Sequence, residues 1–265
     1  IKERSDPFSR RYTVVSLAEL KVKIFADGAD LKQIEMLAGD PLIKGFTTNP
    51  TLMRKAGVRD YRQFARDALS IVGNRPISFE VFSDEFEEME RQALEIASWG
   101  TNVYVKIPVT NTKQEFSGQL IDNLSSAGVR VNVTALLTAD QVGAVVKCLS
   151  GKAESFVSVF AGRIADTGLD PIPIMARSVK LLKSRPAAEL IWASPREPFN
   201  IIQADAIGCH VITATSDVLA KLQGIGKDLD TFSLETVRMF RYDAVEAGFS
   251  INVTSQITTG ESAAS

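Results

Sequence analysis

The sequence has 265 residues, 45% of them hydrophobic, and its 30 basic and 32 acidic residues give a net charge of −2. This length suits one large domain, and no basic stripe or block of like charge favours nucleic acid as a partner. No apolar run reaches membrane-spanning length and no signal peptide is recognisable, so we expect a soluble cytoplasmic protein without membrane partners.

Histidine and cysteine are scarce. His210 is the single histidine and stands at the start of an apolar strand, so a catalytic triad or a multi-histidine metal site would depend on it alone. Cys148 and Cys209 fall in apolar helical patterns, and we interpret them as buried thiols rather than as a disulfide. We therefore expect no metal and no cofactor.

Short β-branched runs alternate along the chain with segments of helical periodicity. The runs occupy residues 23–28, 43–48, 77–82, 103–109, 130–137, 155–162, 188–194 and 210–216. Helical patterning is clearest at 84–100 and 113–128, and helix stops are expected at glycines. Eight strands alternating with helices predict an α/β fold, a (β/α)8 TIM barrel. An open doubly wound sheet is disfavoured because no glycine-rich phosphate fingerprint follows the first strand.

The predicted domain organisation is a single barrel domain with two additions. Residues 1–22 form an N-terminal extension with a charged, mobile start, and residues 23–230 form the barrel. Residues 231–250 contain an extra amphipathic helix, patterned at 233–249. The polar residues 251–265 are expected to be a disordered tail.

Polar residues within the apolar strands indicate a site in the barrel lumen. In "VYVKIPV", Lys106 has the opposite parity to the flanking apolar residues, so it points into the lumen if those residues face the helices. Asp27 and Glu80 lie late in their strands, where active sites of this fold are built. The same alternation places on one face Thr47 with Asn49, Asn132 with Thr134, Ser158 with Phe160, and Ser194 with Arg196.

A lumenal lysine has two interpretations. Its amine can attack a ketone in a confined pocket, and the resulting Schiff base is an electron sink through which an adjacent carbon–carbon bond breaks. Alternatively, Lys106 forms a stabilising ion pair with Asp27 or Glu80. The residues alone leave both interpretations open.

The chain resembles the transaldolase family, which includes the fructose-6-phosphate aldolases, from Ile24 to about Arg196. "FADGADL" is similar to the first-strand aspartate motif, "GFTTNPTL" to the T-T-N-P-S/T signature, and "VYVKIPVT" to the Schiff-base lysine strand. "NVT", "SVFAGRI" and "ASPR" follow in the family's order, and the eighth strand carries no identifiable catalytic motif.

The resemblance implies a role for each matched residue. Lys106 would form the Schiff base, Asp27 would exchange a proton with the C4 hydroxyl, and Glu80 and Thr134 would hold a proton-shuttling water. The remaining matched residues would bind substrate. They are Asn49, Asn132 and Ser158 around the dihydroxyacetone unit, Arg163, Ser194 and Arg196 around the phosphate, and also Thr47 and Phe160.

Two positions bear on which reaction the resemblance implies. Glu80 and Phe160 are typical of transaldolases, whereas fructose-6-phosphate aldolases tend to carry Gln and Tyr there. This favours transfer of a three-carbon unit between sugar phosphates, as in the pentose phosphate pathway, over release of dihydroxyacetone. Pro195 departs from the family and removes a backbone N–H, so we expect a reshaped phosphate pocket.

Alternatives to this reading remain. One is a fructose-6-phosphate aldolase-like lyase, and another is a transaldolase for an unusual or modified sugar. A third is a barrel that binds sugar phosphates without catalysis. In short-chain relatives a comparable terminal helix packs on a neighbouring subunit, so a homo-oligomer formed through the C-terminal helix is expected.

Overall fold

The computed structural model of the protein describes residues 16–251. The chain divides into two compact units, one ending at Ile225 and one beginning at Gly226. In the first unit, eight parallel strands, β1 to β8, follow one another around a closed barrel. They are Lys23–Asp27, Ile43–Thr47, Ile77–Glu80, Val103–Pro108, Val131–Leu136, Ser155–Val159, Ala188–Trp192 and Val211–Thr215.

Helices follow every strand, so the predicted (β/α)8 architecture is confirmed. The helices of this unit, α1 to α10, are Leu31–Ala38, Pro50–Lys55, Tyr61–Val72, Phe86–Ala97, Gly118–Ser126, Ala139–Cys148, Ala161–Asp166, Ile172–Leu182, Phe199–Ala206 and Ser216–Ala220. A short 3-10 helix, Leu17–Glu19, precedes β1. The carboxylate of Asp205 on α9 accepts hydrogen bonds from the backbone of Lys21 and Val22, which fixes the approach to the barrel.

Aromatic side chains fill the N-terminal half of the lumen. The rings of Tyr104 and Phe156 stack with centroids 4.2 Å apart, and Phe25 meets Phe156 edge-on at 5.6 Å. Together with Ile191 and Val211 they form a buried cluster separate from the main core between the strands and the helices. This cluster fills one end of the lumen, and the residues that line the cavity lie at the C-terminal ends of the strands.

Every strand ends one to three residues earlier than the sequence predicted, and at β2, β6 and β7 this corrects the assignment of several site residues to strands. β2 ends at Thr47, so Asn49 caps α2 with its side-chain oxygen 2.9 Å from the Leu52 amide, ahead of a proline. β6 ends at Val159 and Phe160 is the N-cap of α7. After β7, Ser194 has a left-handed φ of 60° that ends the strand conformation. These four residues lie beyond the ends of their strands, so the alternation of side chains along a strand does not determine the directions of their side chains. They are Asn49, Phe160, Ser194 and Arg196.

The helix boundaries also differ from those predicted from the hydrophobic periodicity. The helix expected at 113–128 begins only at Gly118, because residues 110–117 form a loop closed by a bridge between Thr110 and Phe116. α4, at Phe86–Ala97, lies inside the predicted 84–100. Gly128 and Gly208 both have positive φ, as expected of glycines that end helices.

The described part of the second unit, residues 226–251, contains one helix, α11, at Leu229–Glu246. It begins four residues before the predicted start because Asp228 caps it, accepting a hydrogen bond from the Thr231 amide at 2.9 Å. Contact between this helix and another subunit stays a prediction. The expected mobile start and most of the expected tail lie outside the described residues. Within 16–251, each helix is too short or too polar to cross a bilayer.

Candidate active site

A cavity of about 530 Å³ opens at the C-terminal ends of the strands. Every one of the eight strands, or the loop that follows it, contributes a side chain to its wall. The structure brings together all the residues that were predicted for the site: Asp27, Thr47, Asn49, Glu80, Lys106, Asn132, Thr134, Ser158, Phe160, Arg163, Ser194 and Arg196.

Lys106 lies at the bottom of this cavity and is only 6% exposed. Its Nζ lies 2.9 Å from a carboxylate oxygen of Glu80, its register partner on the adjacent strand. Nζ also donates a hydrogen bond to the backbone oxygen of Thr48 at 2.9 Å. The ion pair considered from the sequence is therefore present, with Glu80 as the partner. Both charged groups border open volume rather than packed side chains, which gives a substrate access to the amine.

Asp27 has its carboxylate in a network of hydroxyl and amide groups. Thr47 Oγ1 donates to it at 2.8 Å, and Asn49 Nδ2 lies 3.4 Å from its other oxygen. The hydroxyl of Thr213 lies 2.6 Å from Thr47 Oγ1, so it donates along the same chain. Burial raises the pKa of Asp27, and the positive charge of Lys106 opposes this only in part. A carboxylate with a raised pKa is a stronger base, as proton transfer from a sugar hydroxyl requires.

The two predicted residues on β5 have different environments. Asn132 is held by two hydrogen bonds, donating to Ser78 Oγ at 3.0 Å and accepting from Ser158 Oγ at 2.7 Å. Thr134 Oγ1 is buried and has no hydrogen-bond partner among the residues that the structure describes. Ala135 follows with a φ of 65°, an uncommon conformation for a residue other than glycine. The free hydroxyl in the cavity wall can bind a water or a substrate hydroxyl.

Two arginines lie on the opposite wall of the cavity. Arg196 donates to both carboxylate oxygens of Asp166, from Nε at 2.9 Å and from Nη2. The Arg163 guanidinium lies 5.5 Å from the centroid of the Phe160 ring. Arg196, and more weakly Arg163, lower the pKa of Asp166, so this carboxylate is charged near both arginines. Two guanidinium groups beside Ser194 form a suitable site for a phosphate.

The main chains that carry these arginines are in direct contact. A Cβ added to Gly162 would lie 1.5 Å from the backbone oxygen of Ser194, so no other residue fits there without movement. Arg196 is further anchored by its amide, which donates to Asn200 Oδ1 at 2.8 Å. Pro195, which stands between Ser194 and Arg196 in the sequence, also lines the cavity. Its effect on phosphate binding stays a prediction.

Sequence reasoning missed several residues that complete the site. Thr213 belongs to β8, where no motif was found, although it alternates with Thr215 and both line the cavity. That alternation is a signal that identifies them. Asp166 lies three residues after Arg163, but its ion pair with Arg196 joins the end of α7 to the loop that follows β7. Thr48 contributes through its backbone oxygen, for which no side-chain pattern exists.

The single histidine and the two cysteines do not line the cavity. His210 accepts a hydrogen bond at Nδ1 from the Leu190 amide at 3.0 Å, and burial lowers its pKa, so it is a neutral acceptor at the N-terminal end of the barrel. Cys148 and Cys209 are free thiols. Across residues 16–251, no group of three or more histidine, cysteine or acidic side chains is placed to hold a metal ion.

Fold and site together define a (β/α)8 barrel whose cavity centres on one buried lysine, flanked by two carboxylates and faced by two arginines. A family profile described as Transaldolase/Fructose-6-phosphate aldolase matches residues 24–259. The chain belongs to this family.

Individual relatives agree with the family match. A protein named "Probable transaldolase" from Dehalococcoides mccartyi is 34% identical over 202 residues, which are 76% of this chain and 90% of the relative. One of the same name from Methanococcus maripaludis is 32% identical over 226 residues, 82% of this chain and 100% of the relative. A solved structure from Burkholderia cenocepacia J2315 has a TM-score of 0.54 at 12% identity, over 87% of this chain and 86% of that chain, and shows the shared fold alone.

Proposed function

We propose that the protein is a transaldolase, which transfers a dihydroxyacetone unit from a ketose phosphate to an aldose phosphate through a Schiff base on Lys106. The observation that carries this proposal is the contact between Lys106 Nζ and Glu80, 2.9 Å, inside an open cavity. Lys106 is the one lysine among the described residues that line the cavity. Asp27 supplies a base of raised pKa in the same wall.

The first chemical stage is imine formation. Glu80 accepts a proton from the ammonium, and the freed amine attacks the ketose C2. Oxygen leaves C2 as water, and a water held between Glu80 and the unpaired Thr134 hydroxyl relays the protons.

The second stage is cleavage and transfer. Asp27 takes the proton of the C4 hydroxyl, the C3–C4 bond breaks, and its electron pair moves into the imine to give an enamine. The first aldehyde leaves, and an acceptor aldehyde takes its place. The enamine carbon attacks the new carbonyl, Asp27 returns the proton to the resulting alkoxide, and hydrolysis of the imine releases the new ketose phosphate.

The two arginines opposite Lys106 support the proposal that the substrates are phosphorylated. Arg163, Ser194 and Arg196 all line the cavity, and a guanidinium binds phosphate through parallel hydrogen bonds. The dihydroxyacetone hydroxyls would be bound by Asn49, by Ser158 and by Asn132, whose amide is held in place on both sides.

Transfer is favoured over release of free dihydroxyacetone by the character of the Phe160 position. Its ring lies against Arg163 and offers no proton to the enamine. The enamine then survives until an acceptor aldehyde arrives. The family match includes fructose-6-phosphate aldolases, and a lyase of that type is the second candidate.

Borohydride reduction tests the proposal directly. The protein is incubated with fructose 6-phosphate, reduced, digested and analysed by mass spectrometry, and the reduced adduct is expected on Lys106. Absence of an adduct with any of a panel of ketose phosphates would reject the mechanism and favour a barrel that only binds sugar phosphates. A coupled assay with erythrose 4-phosphate then distinguishes transfer from release, because a lyase releases dihydroxyacetone whether or not an acceptor is present.

A further inference from the structure

At the rim of the barrel, β2 ends before its neighbour β3. The two strands pair only at Phe46 with Ile77 and at Thr47 with Ser78. The last ladder bond runs from the Thr48 amide to the Ser78 oxygen, at 3.1 Å. β3 continues to Glu80, whose backbone therefore extends beyond the last residue of its partner strand.

At Glu80, β2 offers neither the acceptor nor the donor that would continue this ladder of hydrogen bonds. Main-chain groups of a strand alternate between its two neighbours, and the Val81 amide already bonds to the Lys106 oxygen on β4. The N–H and C=O of Glu80 therefore face β2. The next acceptor there is the Thr48 oxygen, which instead accepts from Lys106 Nζ. The next donor would be the amide of residue 50, which is proline and has none.

A tyrosine hydroxyl supplies both missing partners. Tyr61 is the first residue of α3, and its hydroxyl accepts a hydrogen bond from the Glu80 amide at 2.8 Å. The same hydroxyl donates to the Glu80 backbone oxygen at 2.9 Å. The Tyr61 side chain thus replaces the two main-chain hydrogen bonds that β2 would otherwise make with Glu80. Glu80 is the residue whose carboxylate contacts Lys106.

Tyr61 is itself held firmly. Its ring meets those of Phe79, Phe82 and Trp99 in edge-on contacts, with centroids 6.2, 5.4 and 5.6 Å apart. Burial raises the pKa of its hydroxyl, which therefore keeps the proton that it donates to Glu80. Tyr61 does not line the cavity, so its effect on a substrate passes through Glu80.

We infer that Tyr61 is a positioning residue for the reaction. Its hydroxyl fixes the main chain of Glu80 and leaves the Thr48 carbonyl free to orient Lys106. This inference rests on the proposed role of Glu80 as the proton acceptor for Lys106.

The test is Tyr61→Phe, which keeps the ring and removes the hydroxyl. Tyr104→Phe is the matched control, because the Tyr104 hydroxyl also hydrogen-bonds to a single residue, Glu154 at 2.9 Å, but at the closed end of the barrel. In Tyr61→Phe we expect the Glu80 amide to exchange with deuterium at least about tenfold faster, because the native hydrogen bond is lost. We expect kcat to fall about tenfold with KM nearly unchanged. Tyr104→Phe should alter neither kcat nor the exchange of the Glu80 amide.

A double-mutant cycle separates positioning from general destabilisation. If Tyr61 acts through Glu80, adding Tyr61→Phe to Glu80→Gln lowers kcat no further. An equal fall in both backgrounds would overturn the inference. So would unchanged exchange of the Glu80 amide in Tyr61→Phe while Glu80→Gln is measurably impaired, and in that case the proposed function stands. Full activity of Glu80→Gln would overturn the role of Glu80 itself, and the inference with it.

Discussion

Lys106 Nζ and a carboxylate oxygen of Glu80 lie 2.9 Å apart across two neighbouring strands, β4 and β3. The contact gives the ammonium proton a direct route to an acceptor when a ketone arrives. In a purely structural ion pair the two groups would be enclosed by packed side chains. Here they face a cavity with room for a sugar, as the proposed catalytic role of the pair requires.

Replacing the proposed nucleophile gives the first prediction. Lys106→Met should lower transaldolase activity by more than about 10³-fold and abolish borohydride trapping, because methionine keeps the length but has no nucleophile. Lys23→Met is the control, since Lys23 forms an ion pair with Glu189 at the other end of the barrel. An adduct that persists in Lys106→Met would identify another lysine as the nucleophile.

The second prediction separates activity from stability at Asp27. Asp27→Asn should lower kcat by about 10²–10⁴-fold, because the base is lost. It should also raise the Tm at neutral pH by roughly 2–4 °C, the shift that about 1 kcal/mol produces in a chain of this size. The reason is that asparagine can still accept the hydrogen bond from Thr47 but carries no charge to bury. Calorimetry and steady-state kinetics measure the two effects.

The pH dependence of this Tm difference has a defined sign. Burial raises the pKa of Asp27 above its unfolded value of about 4. Between the two pKa values the native state holds a proton that the unfolded state has lost, so wild-type stability falls as pH rises through that interval. The Tm advantage of Asp27→Asn should therefore grow from about pH 4 upward and level off above the raised pKa. An advantage that shrinks with rising pH would contradict this account.

The third prediction concerns Asp166, the carboxylate next to the proposed phosphate site. Asp166→Asn should lower the KM for phosphorylated donors about two- to fivefold, because the half-exposed ion pair with Arg196 no longer competes with phosphate. Arg196→Ala should raise the same KM about 10- to 100-fold. Unphosphorylated dihydroxyacetone is the control donor and should respond to neither change. A higher KM in Asp166→Asn would mean that Asp166 orients Arg196 instead of competing for it.

The fourth prediction addresses the fate of the enamine. Phe160→Tyr, alone or with Glu80→Gln, should increase free dihydroxyacetone relative to transfer product, because a hydroxyl there can orient a water that protonates the enamine. One well-placed acid–base group contributes about 10²–10⁴-fold, which is enough to change the partition. The ratio of the two products is measured at constant acceptor concentration. If the ratio stays constant while the Schiff base still forms, Phe160 only packs against Arg163.

Much of the site was predictable because strand alternation is a local property. The parity of Lys106 against its apolar neighbours placed its side chain in the lumen, and the ends of β1 and β3 placed Asp27 and Glu80. The point at which a strand ends was less predictable. Asn49 lies beyond β2 because its side chain caps a helix that starts with proline, and capping competes locally with strand extension.

The remaining contacts depend on tertiary structure. Tyr61 reads from the sequence as an ordinary aromatic residue at the start of a helix, and its bond to Glu80 exists because β2 stops short in space. The pairing of Asp166 with Arg196 joins residues 30 positions apart, one at the end of α7 and one in the loop after β7. No sequence periodicity specifies either contact, so neither can be predicted from the sequence alone.

The backbone contact between Gly162 and Ser194 has a consequence for redesigning the proposed phosphate site to bind other anions. Since a Cβ at Gly162 would meet the Ser194 oxygen at 1.5 Å, the spacing between the two arginine-bearing segments is set by main chain rather than by side-chain packing. Libraries aimed at carboxylated or sulfonated sugars can therefore vary Arg163, Asp166 and Arg196 freely on a fixed frame. The same libraries should leave Gly162 untouched, because any larger residue there would separate the two halves of the anion site.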